Sequence, residues 1–428
     1  MKNILKILLI TFFTSKLYAL NIDDTIKSTI EKNPKVKIAI EKLNESRELV
    51  KYAAGAKLPT ISGSISSTYK NADIKTVTTS TTPETITEVY TLTITQNLYN
   101  DGLNDLEIER SKILFNNEFI NFKSTIQNLI LDSIEGYLLV INYEKSLEAT
   151  QKNYDSVLKA FEETKTRYNL GSATLYDLQN AEALFATVST NLFAAEQNVK
   201  ISKKSFQKIV GLEAVDLEDV LKINKSIDLD QILLNSTNEN LNILLLLNEI
   251  KNKQILILKE KKSKKPSLDL SGTGLYSNGN RLESGTETSS GSIALTLTIP
   301  LFQKGQDDSN IRKYYSQLLQ SEMKLEDEKD ELQILISNTF KDFKISEAKM
   351  NSNLIIIKSI ETALSSLREE YIIGTKTITD LVLEEEKLLK SNVDYLNSKK
   401  DFLLSYFKLK SLDGSLIKLF EDYLPSIN

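Results

Sequence analysis

The glycines of this chain fall twice in the same rhythm. Gly102, Gly171 and Gly211 are 69 and 40 residues apart, and Gly305, Gly374 and Gly414 repeat those spacings at an offset of 203. The surrounding text agrees. Leu98-Tyr99-Asn100-Asp101-Gly102 answers to Leu301-Phe302-Gln303-Lys304-Gly305, and Tyr168 to Gly171 with Thr174 and Asp177-Leu178 answers to Tyr371 to Gly374 with Thr377 and Asp380-Leu381. Asn33 and Pro59 match Asn240 and Pro266 at an offset of 207, so the length change lies between Pro59 and Leu98 and marks a surface loop. A unit of about 200 residues is far too long for a solenoid repeat, so one large architecture is built twice. With 14 Gly and 6 Pro in 428 residues there is little punctuation, which favours long uninterrupted elements.

Each unit holds a pair of alternating segments. Ile61, Gly63, Ile65 and Tyr69 oppose Ser62, Ser64, Ser66 and Thr68, and the return run sets Tyr90, Leu92, Ile94 and Leu98 against Thr91, Thr93, Thr95 and Asn97. In the second unit Leu268, Leu270 and Tyr276 oppose Asp269, Ser271 and Thr273, while Ile293, Leu295, Leu297 and Ile299 oppose Ala294, Thr296 and Thr298. Period two over about ten residues fits a strand that crosses lipid with a polar lumen face. Tyr69, Tyr90 and Tyr276 stand near the loop ends of the apolar faces, where an interfacial girdle belongs. A half-buried sheet in a soluble domain explains any one hairpin equally well, but four strands have no other β segment to pack on. In a bilayer they cannot close either, because every edge must be paired and single-chain barrels start at about eight strands. Several chains must pool their strands.

After each hairpin comes a helix with a heptad seam. From Phe115 to Tyr168, through Phe119, Phe122, Ile126, Leu129, Val140 and Val157, sixteen positions step by four and three, and twelve are apolar or aromatic. Shifted by 203, the register reads Leu318, Leu325, Leu332, Ile336, Phe343 and on to Tyr371. A helix over 103–170 would be about 100 Å long at 1.5 Å per residue and should supercoil left-handed. Short turns at Gly171 and Gly374 reverse the chain, and Thr174 with Asp177, like Thr377 with Asp380, forms a capping-box pattern opening each return helix.

The resulting plan has a first repeat at 20–211, with strand hairpin 59–99, long helix 103–170 and return helix 174–210. An acidic belt segment at 212–239 follows. The second repeat, 240–414, has hairpin 266–302, long helix 305–373 and return helix 377–410, and a tail at 415–428 closes the chain. Residues 1–19 read as a secretory leader: Lys2 and Lys6, a short apolar run from Ile7 to Phe13, and Leu17-Tyr18-Ala19 before the cut. Its removal takes three lysines and no acid, moving the formal charge from -5 to -8. No Cys exists for a disulfide, a thiolate metal site or an acylated N-terminus, so the protein is not expected to be a lipoprotein. His and Trp are absent too, and no phosphate loop, metal spacing or catalytic constellation appears. No catalytic residue, metal, cofactor or nucleic-acid partner is expected of this acidic, exported chain.

In the ordered set Asn33-Pro34, Leu58-Pro59, Leu98 to Gly102, Leu301 to Gly305 and the two turns Tyr168 to Leu178 and Tyr371 to Leu381, the chain resembles the TolC family over essentially its whole mature length. The resemblance implies a membrane α+β fold, in which a homotrimer forms a twelve-stranded outer-membrane β-barrel continuous with a long α-helical periplasmic coiled-coil barrel. It implies an export duct that takes small molecules or proteins from an inner-membrane pump or ABC transporter through a periplasmic adaptor, with outer-membrane lipid around the barrel. It also implies that Asp380 rings the constriction, with Leu383 where the family has a second carboxylate. Glu384 follows, rotated by about 100 degrees on the helix. Lys376 and Tyr371 would close the tips by bonding Asp177, and the turns at Gly171 and Gly374, with Leu170 and Ile373, would receive the adaptor. Two plainer roles stay open, because Asp177 and Asp380 also fit helix capping and Lys376 a solvated turn. The run Lys259, Lys261, Lys262, Lys264 and Lys265 fits either lipid headgroups or a solvated helix end. The competing class is a secreted structural or adhesive coiled-coil protein.

Overall fold

A computed structural model describes residues 20–75, 80–81, 84–219, 223, 227–281 and 284–425. The expected leader and parts of the hairpin loops, belt and tail lie outside the described residues. In order the elements are α1 (Ile22–Lys32), α2 (Pro34–Gly55), β1 (Thr60–Asn71), the short β2 (Ile74–Lys75) and β3 (Ser80–Thr81), β4 (Glu84–Tyr99) and α3 (Leu103–Asn169). Then come α4 (Leu175–Val210), α5 (Leu229–Glu239), α6 (Leu241–Lys262), β5 (Ser267–Arg281), β6 (Ser284–Thr298), α7 (Gln306–Ile372), α8 (Ile378–Leu412) and a 3-10 turn (Ile417–Tyr423). Two compact units result, each drawing on both repeats. One holds the chain up to Lys37 with Ser124–Asn240 and Leu332–Asn428; the other holds Ile38–Lys123 with Leu241–Glu331.

In the second of these units the strands form one antiparallel sheet in the order β1-β4-β5-β6. The register separates an apolar from a hydroxyl-rich face, with exceptions such as Val89 and Leu275 on the polar side and Glu88 and Glu287 on the apolar one. Ile61 lies opposite Ile94, Ile94 opposite Gly272 and Gly272 opposite Ile293, whereas Ser62, Thr93, Thr273 and Ser292 form the matching row on the reverse. Neither side of the outer strands is covered, and on the apolar side Ile293 is 85% exposed and Ile61 67%. A soluble sheet packs that side away, so this sheet has the polarity of one meant for lipid. Among the described residues, the outer edges of β1 and β6 pair with no strand. No described helix is long and apolar enough to cross a membrane.

The strands hand over to helices through two successive left-handed residues, Asp101 and Gly102 (φ 54° and 77°) and Lys304 and Gly305 (φ 54° and 69°). Glycine makes the second of these steps cheap. The lysine run lies beside these exits and is engaged within the chain: Lys259 pairs with Glu107, Lys262 with Asp101 and Lys264 with Asp308, while Lys261 donates to the Tyr315 hydroxyl at 2.8 Å. Lys57 pairs with Asp105 at the same exit. These four lysines of the run therefore brace strand–helix corners, a use neither of the two readings from sequence contained.

In the other unit the seam of the long helices is core. Ile126, Leu129, Val140 and Val157 of α3 and Leu332, Ile336, Phe343 and Leu364 of α7 are all buried, and Phe343 stacks on Phe402 of α8 with ring centroids 4.8 Å apart. The matched asparagines acquire a reason as well. Asn33, which ends α1, donates from Nδ2 to the Ile209 carbonyl at 2.9 Å, and Asn240, which ends α5, donates to the Leu412 carbonyl at 3.2 Å. Each satisfies a carbonyl left open at the end of a return helix.

Candidate functional site

The two helix turns have the same backbone construction. At the first, Gly171 N–H donates to the Tyr168 carbonyl (2.9 Å) and Ser172 N–H to the Arg167 carbonyl (2.8 Å); at the second, Gly374 donates to Tyr371 and Thr375 to Glu370, both at 3.0 Å. This paired closure needs a left-handed residue, supplied by Gly171 (φ 77°) and Gly374 (φ 82°). Leu170 and Ile373, just ahead of these glycines, are 77% and 73% exposed. Two equivalent apolar side chains thus stand in solvent at equivalent turns.

The return helices then start on complete capping boxes. Thr174 Oγ1 accepts from the Asp177 N–H while Asp177 Oδ2 accepts from the Thr174 N–H (2.9 Å) and hydroxyl (2.8 Å); Thr377 and Asp380 repeat the set. Bonds from the Thr174 backbone and hydroxyl, with the nearby Arg167 charge, hold the Asp177 carboxyl below the usual aspartate range. The Thr377 backbone and hydroxyl, and then Lys376, do the same for Asp380. Both bonds to Asp177 fall on Oδ2.

Between the hairpins, Tyr371 donates its hydroxyl to Glu163 Oε2 at 3.3 Å and accepts from Arg167 at 3.5 Å. Asn180 donates to the Thr379 hydroxyl at 3.1 Å. Deeper in, the Glu385 carboxylate is buried and accepts from Ser156 of the first hairpin and Arg368 of the second. Apolar packing of Val157, Ala160, Val188 and Val382 lies alongside. Within one chain, then, Tyr371 reaches Glu163 and Arg167 rather than Asp177, and exposed Lys376 has no carboxylate within 4 Å among the described residues. Leu383 is 46% exposed, and Glu384 is paired with Lys387.

Glu163, Arg167 and Glu385 were not singled out from sequence. Glu163 precedes Thr164, a seam position, and would have been reached by asking which polar neighbour of the seam faces the other hairpin. A buried acid such as Glu385 gives no such signal. On the sheet, Tyr90 and Tyr276 are cross-strand partners with centroids 6.0 Å apart, and Tyr69 stands on the same apolar face opposite Ile86.

A sheet that bares its apolar face and leaves both edges open, carried on two helices of 67 residues, defines a membrane-sheet protein with coiled-coil hairpins. Residues 25–212 match the family model described as Outer membrane efflux protein. That match covers the first repeat, less than half of the chain. The chain is 22% identical to outer membrane protein TolC of Escherichia coli over 313 residues, covering 69% of this chain and 63% of that protein, which is less than two thirds of TolC's length. It is 19% identical to the alkaline protease secretion protein AprF of Pseudomonas aeruginosa over 415 residues, 93% of this chain and 85% of AprF. The fold is that of the Campylobacter jejuni CmeC outer membrane channel, with a TM-score of 0.78 at 15% identity, covering 94% of this chain and 90% of CmeC.

Proposed function

We propose that the protein is an outer-membrane export duct in which three copies pool their four strands into a twelve-stranded barrel and their hairpins into a periplasmic tunnel. The observation that carries this reading is the sheet, whose unpaired β1 and β6 edges and bare apolar face would be costly in lipid or water unless each edge met the next copy. Three copies give an allowed even strand number. The helix turns are the tunnel's inner end and its gate. Tyr371 with Glu163 and Arg167 ties the two hairpins of one chain, Asp380 lines the opening, and Lys376 together with Asp177 Oδ1 is available for bonds between neighbouring copies. Leu170 and Ile373 offer an apolar seat to a periplasmic adaptor that links the duct to an inner-membrane pump or ABC transporter.

Native mass measurement in detergent is expected to give three copies, and the same sample is expected to conduct in planar bilayers. A monomer that keeps its full β content and forms no channel would overturn the proposal, and would favour the secreted structural class.

A further inference from the structure

The polar face of the sheet is lined mostly by hydroxyls, as in the row Ser62-Thr93-Thr273-Ser292, with Val89, Leu275 and Ala294 interspersed. Among the described strand side chains, alternation places only two charges on that face, Lys70 of β1 and Asp269 of β5. They stand at opposite ends. Lys70 pairs in register with Thr85 and Asp269 with Asn97, twelve residues further along β4, so about 40 Å of strand separates them at ~3.3 Å per residue. That exceeds the screening length of about 8 Å several times over, so neither charge offsets the other.

Asp269 is also built in. Asn97 Nδ2 of the neighbouring strand donates to its Oδ1 at 2.8 Å, fixing a half-buried carboxylate with no Lys or Arg within 4 Å among the described residues. Of the lysines at the nearby strand–helix exits, Lys57, Lys259, Lys262 and Lys264 are taken up by Asp105, Glu107, Asp101 and Asp308 instead. An acid left without a counter-ion, remote from Lys70 on the same face, has unspent charge, and rings of acids in pores select for cations.

We infer that Asp269 is a specificity-determining residue of the duct: its three copies form a negative ring at the helix-proximal end of the barrel that favours passage of cations over anions. The inference rests on the pooled-barrel reading. A cation crossing this level finds fixed carboxylates already oriented by Asn97, whereas an anion meets only hydroxyl dipoles.

The chain has no Cys, which makes the test direct. Reversal potentials are measured across planar bilayers under a KCl gradient in an Asp380→Asn background, so that the tip acids do not mask the barrel. Asp269→Asn is expected to lower the cation-over-anion permeability ratio at least about twofold. Asp269→Cys is expected to match it, then to regain cation preference on reaction with a sulfonate-bearing methanethiosulfonate and to turn anion-preferring with the trimethylammonium analogue. Because the reagents act on assembled, conducting channels, a folding defect cannot produce that opposite response. A ratio unmoved by Asp269→Asn and by both reagents overturns the inference while leaving the duct intact. A parent protein that forms no channel overturns the pooled-barrel reading and this inference with it.

Discussion

Removing the Tyr371 hydroxyl is expected to shift the tips toward the open state by an amount the contacts bound. The hydroxyl makes two bonds across the hairpins, 3.3 Å to Glu163 and 3.5 Å from Arg167. A net hydrogen bond is worth about 0.5–1.5 kcal/mol; charged partners strengthen these two, while length and solvent weaken them. About 0.5–1 kcal/mol per chain is a fair value, and three chains opening together give about 1.5–3 kcal/mol, or ~10- to ~150-fold in the open-to-closed ratio. The assay is single-channel recording of the open fraction for Tyr371→Phe, Glu163→Gln and the double variant. If the two residues act through their mutual bond, the double variant opens about as readily as Tyr371→Phe alone, giving a clear coupling energy. Strictly additive effects, or an open fraction unchanged within about twofold in all three, would refute the argument that this contact latches the tip.

Glycines of like backbone conformation are expected to differ in tolerance. A Cβ on Gly414 (φ 75°) would lie 2.7 Å from the Glu239 carbonyl oxygen, whereas one on Gly171 (φ 77°) meets nothing within 4 Å. Gly171→Ala is therefore expected to cost about 1–2 kcal/mol from its left-handed backbone alone, and Gly414→Ala clearly more, read as the shift in urea midpoint; equal shifts would refute the packing argument. The tip caps carry a pH signature. Asp177 and Asp380 have folded pKa values lowered chiefly by backbone bonds, so their stabilisation is complete above the usual aspartate range and is lost as pH falls through the lowered values. Hydrogen exchange at the starts of α4 and α8, corrected for intrinsic rates, is expected to stay flat from neutral to mildly acidic pH and to rise only below about pH 4. Loosening that is already complete at mildly acidic pH would contradict it.

The elements that can be read from the sequence are those whose physics is local and periodic. Alternation over β1, β4, β5 and β6 determines which side chains face lipid, because successive residues of a strand must point to opposite sides. The step of four and three through Ile126, Val140, Val157 and, in the second helix, Ile336 and Phe343 determines the buried stripe for the same kind of reason. Gly171, Gly374, Thr174 and Thr377 mark the turns, because the left-handed closure and the capping bonds are each made within six residues.

What the tertiary structure decided is which polar groups meet. Tyr371 finds Glu163 across 208 residues of chain, Asn97 finds Asp269 across 172 and Lys259 finds Glu107 across 152. No period in the text links such residues. An acid on a coiled-coil surface looks the same in sequence whether it faces water, as Glu361 does, or is buried against a second hairpin like Glu385. The sequence by itself determined the strands, the helices, their buried faces and the turns. The packing of one repeat against the other determined the Tyr371–Glu163, Lys259–Glu107 and Asn97–Asp269 contacts, because those depend on distances that exist only once both copies of the unit have folded together.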